Sequence, residues 1–145
     1  MALSITASGV FAPVSGTINK TSFNYVVNSG YIITAGMVVA TDPNTGFVVP
    51  AMAASGYNYS AVGIALNNAY QNQPCAYCTQ GLMSLGTGAT SGMIVGQQYN
   101  LDYATSGGII PNNALVSGAY VMQLGYCSAS GFFTVGLVNT NIQLA

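Results

Sequence analysis

The sequence predicts an all-β chain: a single-domain β-barrel or β-sandwich built from a duplicated β-meander, with an N-terminal strand or arm. Three observations predict it. Eighteen glycines are scattered along 145 residues, and no window carries the i, i+3, i+4, i+7 apolar stripe of an amphipathic helix. The good helix formers Glu and Arg are absent and Lys occurs once, so local propensity gives a helix little support. Short β-branched or aromatic runs recur instead, separated by Gly, Asn, Ser and Pro at a spacing of roughly 10 residues, as in sandwiches and barrels.

Taken in order, the expected strands are Leu3–Val10, Phe23–Val27, Met37–Thr41, Phe47–Ala51, Ala61–Leu66, Cys75–Thr79, Gln98–Leu101, Gly108–Pro111, Ala119–Tyr126 and Phe132–Leu137. Between the third and fourth lies Asp42-Pro43-Asn44-Thr45-Gly46. There Pro presets the first turn residue, Asn tolerates the left-handed region and Gly accepts positive φ, so the segment reads as a tight reversal. Ala104-Thr105-Ser106-Gly107-Gly108 reads the same way between the seventh and eighth.

Those two turns belong to an internal repeat. Gly36-Met37-Val38-Val39-Ala40-Thr41-Asp42 followed by Gly46-Phe47-Val48-Val49-Pro50 resembles Gly96-Gln97-Gln98-Tyr99-Asn100-Leu101-Asp102 followed by Gly108-Ile109-Ile110-Pro111. A strand built around a glycine follows each: Ala61-Val62-Gly63-Ile64-Ala65-Leu66, then Val121-Met122-Gln123-Leu124-Gly125-Tyr126-Cys127. The offset is about 60 residues, and two copies make a duplicated meander, not a solenoid. The expected division is residues 1–30 as N-terminal arm or edge strand and 31–145 as the β-domain, with pseudo-repeats at about 31–81 and 93–140. An arm would reach a neighbouring subunit by strand addition.

Composition restricts function more sharply than it restricts fold. One Lys, two Asp and no His leave charged residues at 2% of the chain, against about 25% in an ordinary soluble domain. Acid–base and nucleophilic catalysis need a titratable group tuned by a partner, and such partners barely exist here. The chain is therefore expected not to be an enzyme and to carry no cofactor. A single lysine, Lys20, cannot neutralise a phosphate backbone, so nucleic acid is not an expected partner. Apolar stretches such as Tyr31–Ala40 are interrupted long before the ~18 residues a spanning helix needs, so no membrane role is expected. The start Met-Ala-Leu-Ser-Ile-Thr lacks the basic and long apolar regions of a signal peptide, which points to a product made in the cytoplasm. A net charge of −1 removes the repulsion that keeps soluble monomers apart and favours association.

Each remaining constellation has a structural explanation. Cys75-Ala76-Tyr77-Cys78 has C-x-x-C spacing with Cys127 as a third thiol. A structural zinc site wants four Cys or His ligands, and strand alternation sends Cys75 and Cys78 to opposite faces. Small buried side chains are the expected role, with a disulfide to Cys127 the lesser alternative. Asp42 and Asp102 hold matching places in the two repeats, and capping their turns is a better reading than a paired acid–base dyad. Gly86-Thr87-Gly88-Ala89-Thr90-Ser91-Gly92 lacks the lysine and spacing of a phosphate loop and reads as an exposed loop. Tyr57, Tyr59, Tyr70 and Tyr77 cluster mid-chain, where core or interface packing outweighs sugar stacking.

The run Ile33-Thr34-Ala35-Gly36-Met37-Val38-Val39, then Gly46-Phe47-Val48-Val49-Pro50-Ala51, then Val62-Gly63-Ile64-Ala65-Leu66-Asn67-Asn68-Ala69 resembles tailed-phage capsid decoration (cement) proteins and related small β-domains of phage fibres. The likeness covers about residues 32–81 and, more faintly, the second repeat. It implies a β-domain seated on the outside of an expanded head, often as a trimer, clamping the major capsid protein, and no catalytic residues. The nearly charge-free composition departs from that pattern and leaves docking to apolar and amide or hydroxyl contacts. The expected partners are thus the major capsid protein and further copies of the chain, in the virion. Expected interface residues are Phe11, Phe23 and Tyr25 of the N-terminal segment and Tyr57 and Tyr59 of the mid-chain loop. Two alternatives stand beside this: a fibre or spike domain that binds a host glycan through tyrosines and the loops at Asn67-Asn68 and Asn112-Asn113, and a self-assembling surface-layer or filament subunit.

Overall fold

The computed structural model describes residues 12–13, 18–20, 30–84 and 92–145, the first two stretches through their backbone pairing. The chain is all-β, as the sequence predicts, and its antiparallel strands curl into a half-barrel. The strands are β1 (Ala12–Pro13), β2 (Ile18–Lys20), β3 (Val38–Thr41), β4 (Val48–Pro50), β5 (Ala61–Ala65), β6 (Tyr77–Ser84), β7 (Gln98–Leu101), β8 (Ile109–Pro111), β9 (Tyr120–Ala129) and β10 (Phe132–Gln143). A 3₁₀ turn at Asn112–Ala114 follows β8. The expected strands Leu3–Val10 and Phe23–Val27 lie outside the described residues.

Neighbouring strands run in the order β4-β3-β5-β6-β10-β9-β7-β8. Exchanging each strand for its counterpart in the other repeat leaves that order reading the same backwards, and the registers match as well. Val38 faces Ile64, Val39 faces Gly63 and Ala40 faces Ala61 across β3 and β5; Gln98 faces Tyr126, Tyr99 faces Gly125 and Asn100 faces Gln123 across β7 and β9. Both ladders slip at the same step, between Val39 and Ala40 and between Tyr99 and Asn100. The turn entering each repeat is also duplicated. Gly36 N donates to Ala65 O at 2.8 Å and Met37 N to Thr34 O at 3.0 Å; Gly96 N donates to Cys127 O at 2.7 Å and Gln97 N to Ile94 O at 3.0 Å. Gly36 and Gly96 have φ of 91° and 86°, which a side chain would resist.

The repeats nevertheless join asymmetrically, at β6. Cys78 pairs with Ile64 of β5 and with Asn19 of β2, whereas Gln80 pairs with Gly136 of β10 and with Ile18 of β2. A strand residue has two edges, so β5 and β10 occupy one edge of β6 in succession and β2 the other. Asn139 Nδ2 of β10 accordingly donates to Ser60 Oγ, just before β5, at 2.9 Å. The β2 register shifts opposite Cys78–Gln80, the mark of a bulge, and a bulge reverses the face that later side chains take. Tyr77 and Met83, an even number of residues apart on one strand, therefore enter different apolar clusters.

The larger cluster is shared by both repeats, each presenting the opposite face. The first supplies Val38, Ala40, Val49 and Ile64; the second supplies Tyr99, Leu101, Ile109, Cys127 and Phe133. Tyr99 and Phe133 meet edge-on at 6.2 Å. The other face of the first repeat, with Val39, Val48, Ala65 and Tyr77, is covered by Ile33, Ala69 and Cys75 in a smaller cluster. Backbone bonds stitch the start of β3 and the segment after β4 to the β7–β8 hairpin turn: Val38 N to Gly107 O at 2.9 Å, Gly107 N to Ala51 O at 2.7 Å and Ala53 N to Asp102 O at 2.9 Å.

Candidate interaction surface

The residues with potential chemistry are occupied structurally. Asp42 Oδ1 accepts from Asn44 N and Asp102 Oδ1 from Ala104 N, each at 2.9 Å. Both aspartates thus form the same Asx turn two residues long, the role their position predicts. They are not equivalent in burial: the first turn is open, whereas Asp102 is 3% exposed. The thiols of Cys75, Cys78 and Cys127 are buried. Cys75, which precedes β6, lies in the smaller cluster and Cys78 and Cys127 in the larger, so the C-x-x-C pair is split, but not by alternation within one strand. Burial pushes the Cys75 thiol up to about 11. It raises Cys78 and Cys127 too, partly offset by backbone hydrogen bonds at Gln80 and Ala129. None is activated as a nucleophile.

Among the expected interface residues, Tyr57 is 58% exposed. Tyr59 is half-buried and stacks on Tyr120 with ring centroids 4.0 Å apart and planes 3° from parallel. The mid-chain loop thus sends one tyrosine outward and uses the other as packing. Phe11, Phe23 and Tyr25 lie outside the described residues, as does most of the glycine loop. Tyr70 is exposed and Tyr77 buried. The loop asparagines are engaged within the fold. Asn67 Oδ1 accepts from Ala76 N at 2.7 Å, Asn68 Oδ1 from Ala35 N at 2.8 Å and Asn112 Oδ1 from Asn100 Nδ2 at 2.9 Å. An open cleft of about 320 Å³, lined by Thr79, Gln80 and Val135–Val138, marks the fork where β10 leaves β6.

The outer face of the second repeat is not evident from the sequence. In register terms Gln98, Tyr126 and Thr134 stand where Val38, Ile64 and Cys78 stand in the first repeat. The first-repeat set is buried in the shared core, whereas Tyr126 is 46% exposed and Gln98 open. Phe132 (37% exposed) lies on the same face of β10 as Thr134, which is directly opposite Leu82 of β6. At the edge of this face is the turn Ile94–Gln97, with Ile94 and Val95 the most exposed of its apolar side chains. It is a held turn: besides its two backbone bonds, Ile94 N donates to Tyr99 Oη at 2.8 Å. The matching turn of the first repeat buries Ala35 where the second exposes Val95. The polar Gln98 that opens β7, where the first repeat has the apolar Val38, is a signal of this open face, whereas Asn100 further along the strand is buried.

No family model, curated protein or solved structure matches the chain.

Proposed function

We propose that the chain is a virion structural protein, a decoration or cement subunit. Many copies made in the host cytoplasm would clamp the major capsid protein of a phage head by non-covalent contacts, without catalysis. The observation that carries this reading is the combination of surface and scaffold. Large apolar side chains (Tyr31, Ile32, Tyr57, Tyr70, Ile94, Val95) stand well out of a strand framework, and the whole chain holds three charged residues. Exposed apolar groups in quantity mark surfaces meant for other macromolecules, and the near absence of charge lets many copies sit side by side without repulsion.

Two details weigh against the competing readings. Both end strands of the sheet, β4 and β8, are three residues long and close on Pro50 and Pro111, a design that blunts edge-to-edge polymerisation into a filament. The amides of Asn67, Asn68 and Asn112 hold their own loops and have less to offer a sugar. The test is immunogold labelling of virions whose genome encodes the chain. Label over the head supports the cement reading. Label confined to the tail tip replaces it with the fibre reading, and its absence from purified virions removes both.

A further inference from the structure

We propose that Asp102 and Asn100 bind a small monovalent metal cation of the Na+ class on the β7–β8 hairpin. The two residues are two positions apart and share one face of the strand. Both are enclosed, Asp102 at 3% and Asn100 at 0% exposure. Among the described residues neither Asp102 Oδ2 nor Asn100 Oδ1 meets a hydrogen-bond donor. The turn does not account for the charge. Asp102 Oδ1 alone closes it, by accepting from Ala104 N at 2.9 Å, and an asparagine makes the same Asx turn without a charge. A buried carboxylate without a counter-charge is costly, and the one Lys or Arg of the chain, Lys20, is held on β2 opposite Tyr77 of β6.

The first repeat supplies the comparison. Its Asp42 makes the same turn but is only partly buried. Phe47 stands opposite it, and Ala40 takes the place of Asn100. In the second repeat Gly108 stands opposite Asp102, and a Cβ there would lie 3.0 Å from Oδ2. The bare glycine thus leaves the carboxylate its place. Asn100 Nδ2 is turned to Asn112 Oδ1 at 2.9 Å, which directs its own Oδ1 away from that bond. Burial of the carboxylate, a second acceptor oxygen and a cleared neighbour therefore come together in the second repeat and not in the first. Enclosure selects the ion. A lysine or arginine from another protein would need an opening that these residues do not offer. Oxygen donors suit hard cations, and one carboxylate balances one positive charge, whereas a divalent ion would leave a charge buried.

Thermal unfolding of the full-length chain tests the proposal, in NaCl against tetramethylammonium chloride at the same concentration of about 150 mM. With three charged side chains in the chain, general screening moves stability little. The wild type is expected to melt at least ~3 °C higher in NaCl, because the ion binds only the folded state. Asp102→Asn, which keeps the turn acceptor, is expected to abolish the difference, and Asn100→Ala to cut it at least ~2-fold. Asp42→Asn, in the matching turn, should leave it unchanged. Circular dichroism establishes that each variant is folded. Equal melting temperatures for the wild type overturn the proposal. So does a difference that survives in Asp102→Asn or, should that variant not fold, one that is undiminished in Asn100→Ala. The cement reading does not depend on this site and is unaffected by either result.

Discussion

Ile64 and Tyr126 hold the same place in two matching ladders, opposite Val38 and Gln98 respectively, yet Ile64 is fully buried and Tyr126 is 46% exposed. The bulge in β6 accounts for the difference. It reverses the face that the first repeat turns towards the core, so a duplicated sequence is used once facing in and once facing out. A reciprocal exchange tests this. Ala40 and Asn100 are register equivalents; Ala40 lies in the shared core, and Asn100 bonds Asn112. Ala40→Asn is expected to cost about 3 kcal/mol, because it places an amide among apolar side chains. Asn100→Ala is expected to cost less than about 1.5 kcal/mol, since it removes one bond together with an Oδ1 that meets no protein donor. Urea unfolding of both variants decides it, and the reverse order of costs would refute opposite-face burial.

Gly125 and Gly136 are close in the β9–β10 ladder and should respond very differently to one methyl group. Gly125 has φ of 142°, and a Cβ there would run into Thr134 O and the Gly136 amide, whereas nothing lies within 4 Å of a Cβ on Gly136. Gly125→Ala is expected to destabilise the chain by about 3 kcal/mol or more. Gly136→Ala should change stability by less than about 1 kcal/mol, in the stabilising direction. Denaturation midpoints at matched m-values provide the comparison.

The stack of Tyr59 on Tyr120 ties the mid-chain loop to the start of β9. A double-mutant cycle with Tyr59→Leu and Tyr120→Leu should return a coupling of about 1 kcal/mol, the usual worth of an offset aromatic pair beyond its buried area. A coupling indistinguishable from zero would mean that the rings are neighbours without mutual stabilisation.

Cys75 gives stability a pH dependence of predictable sign. Burial holds its thiol protonated up to about 11, against 9.0 for an ordinary one. The unfolded chain therefore releases this proton first. Its contribution is complete below the ordinary value and is lost as pH rises through the window between the two. The comparison is with Cys75→Ala, whose stability should fall less steeply between pH 9.0 and about 11. The folded wild type should also react with a thiol reagent at pH 8 far more slowly than the unfolded chain.

The strand runs and their turns could be read from residue order because each depends on neighbours in sequence. Asp42 and Asp102 reach only two residues along to bond Asn44 and Ala104, and Val38–Thr41 and Gln98–Leu101 carry their β-propensity locally. The split fate of Tyr57 and Tyr59 was not readable. Two tyrosines two positions apart in a loop have no fixed alternation, and only the arrival of Tyr120 makes one of them packing. The candidate face was half visible: Gln98 in the place of Val38 announced an open side, but Asn100 is buried, and no local pattern named the apolar groups that would join Gln98.

What the residues determine alone is a nearly uncharged, glycine-punctuated β-chain made of two related units, since propensity, turn chemistry and composition act over a few residues at a time. Which face of each unit goes inward is settled by β6, where β5 and β10 share one edge on either side of a bulge. That choice needs partners distant in sequence, because both faces of the first unit are apolar enough to bury and only three-dimensional packing selects what covers each.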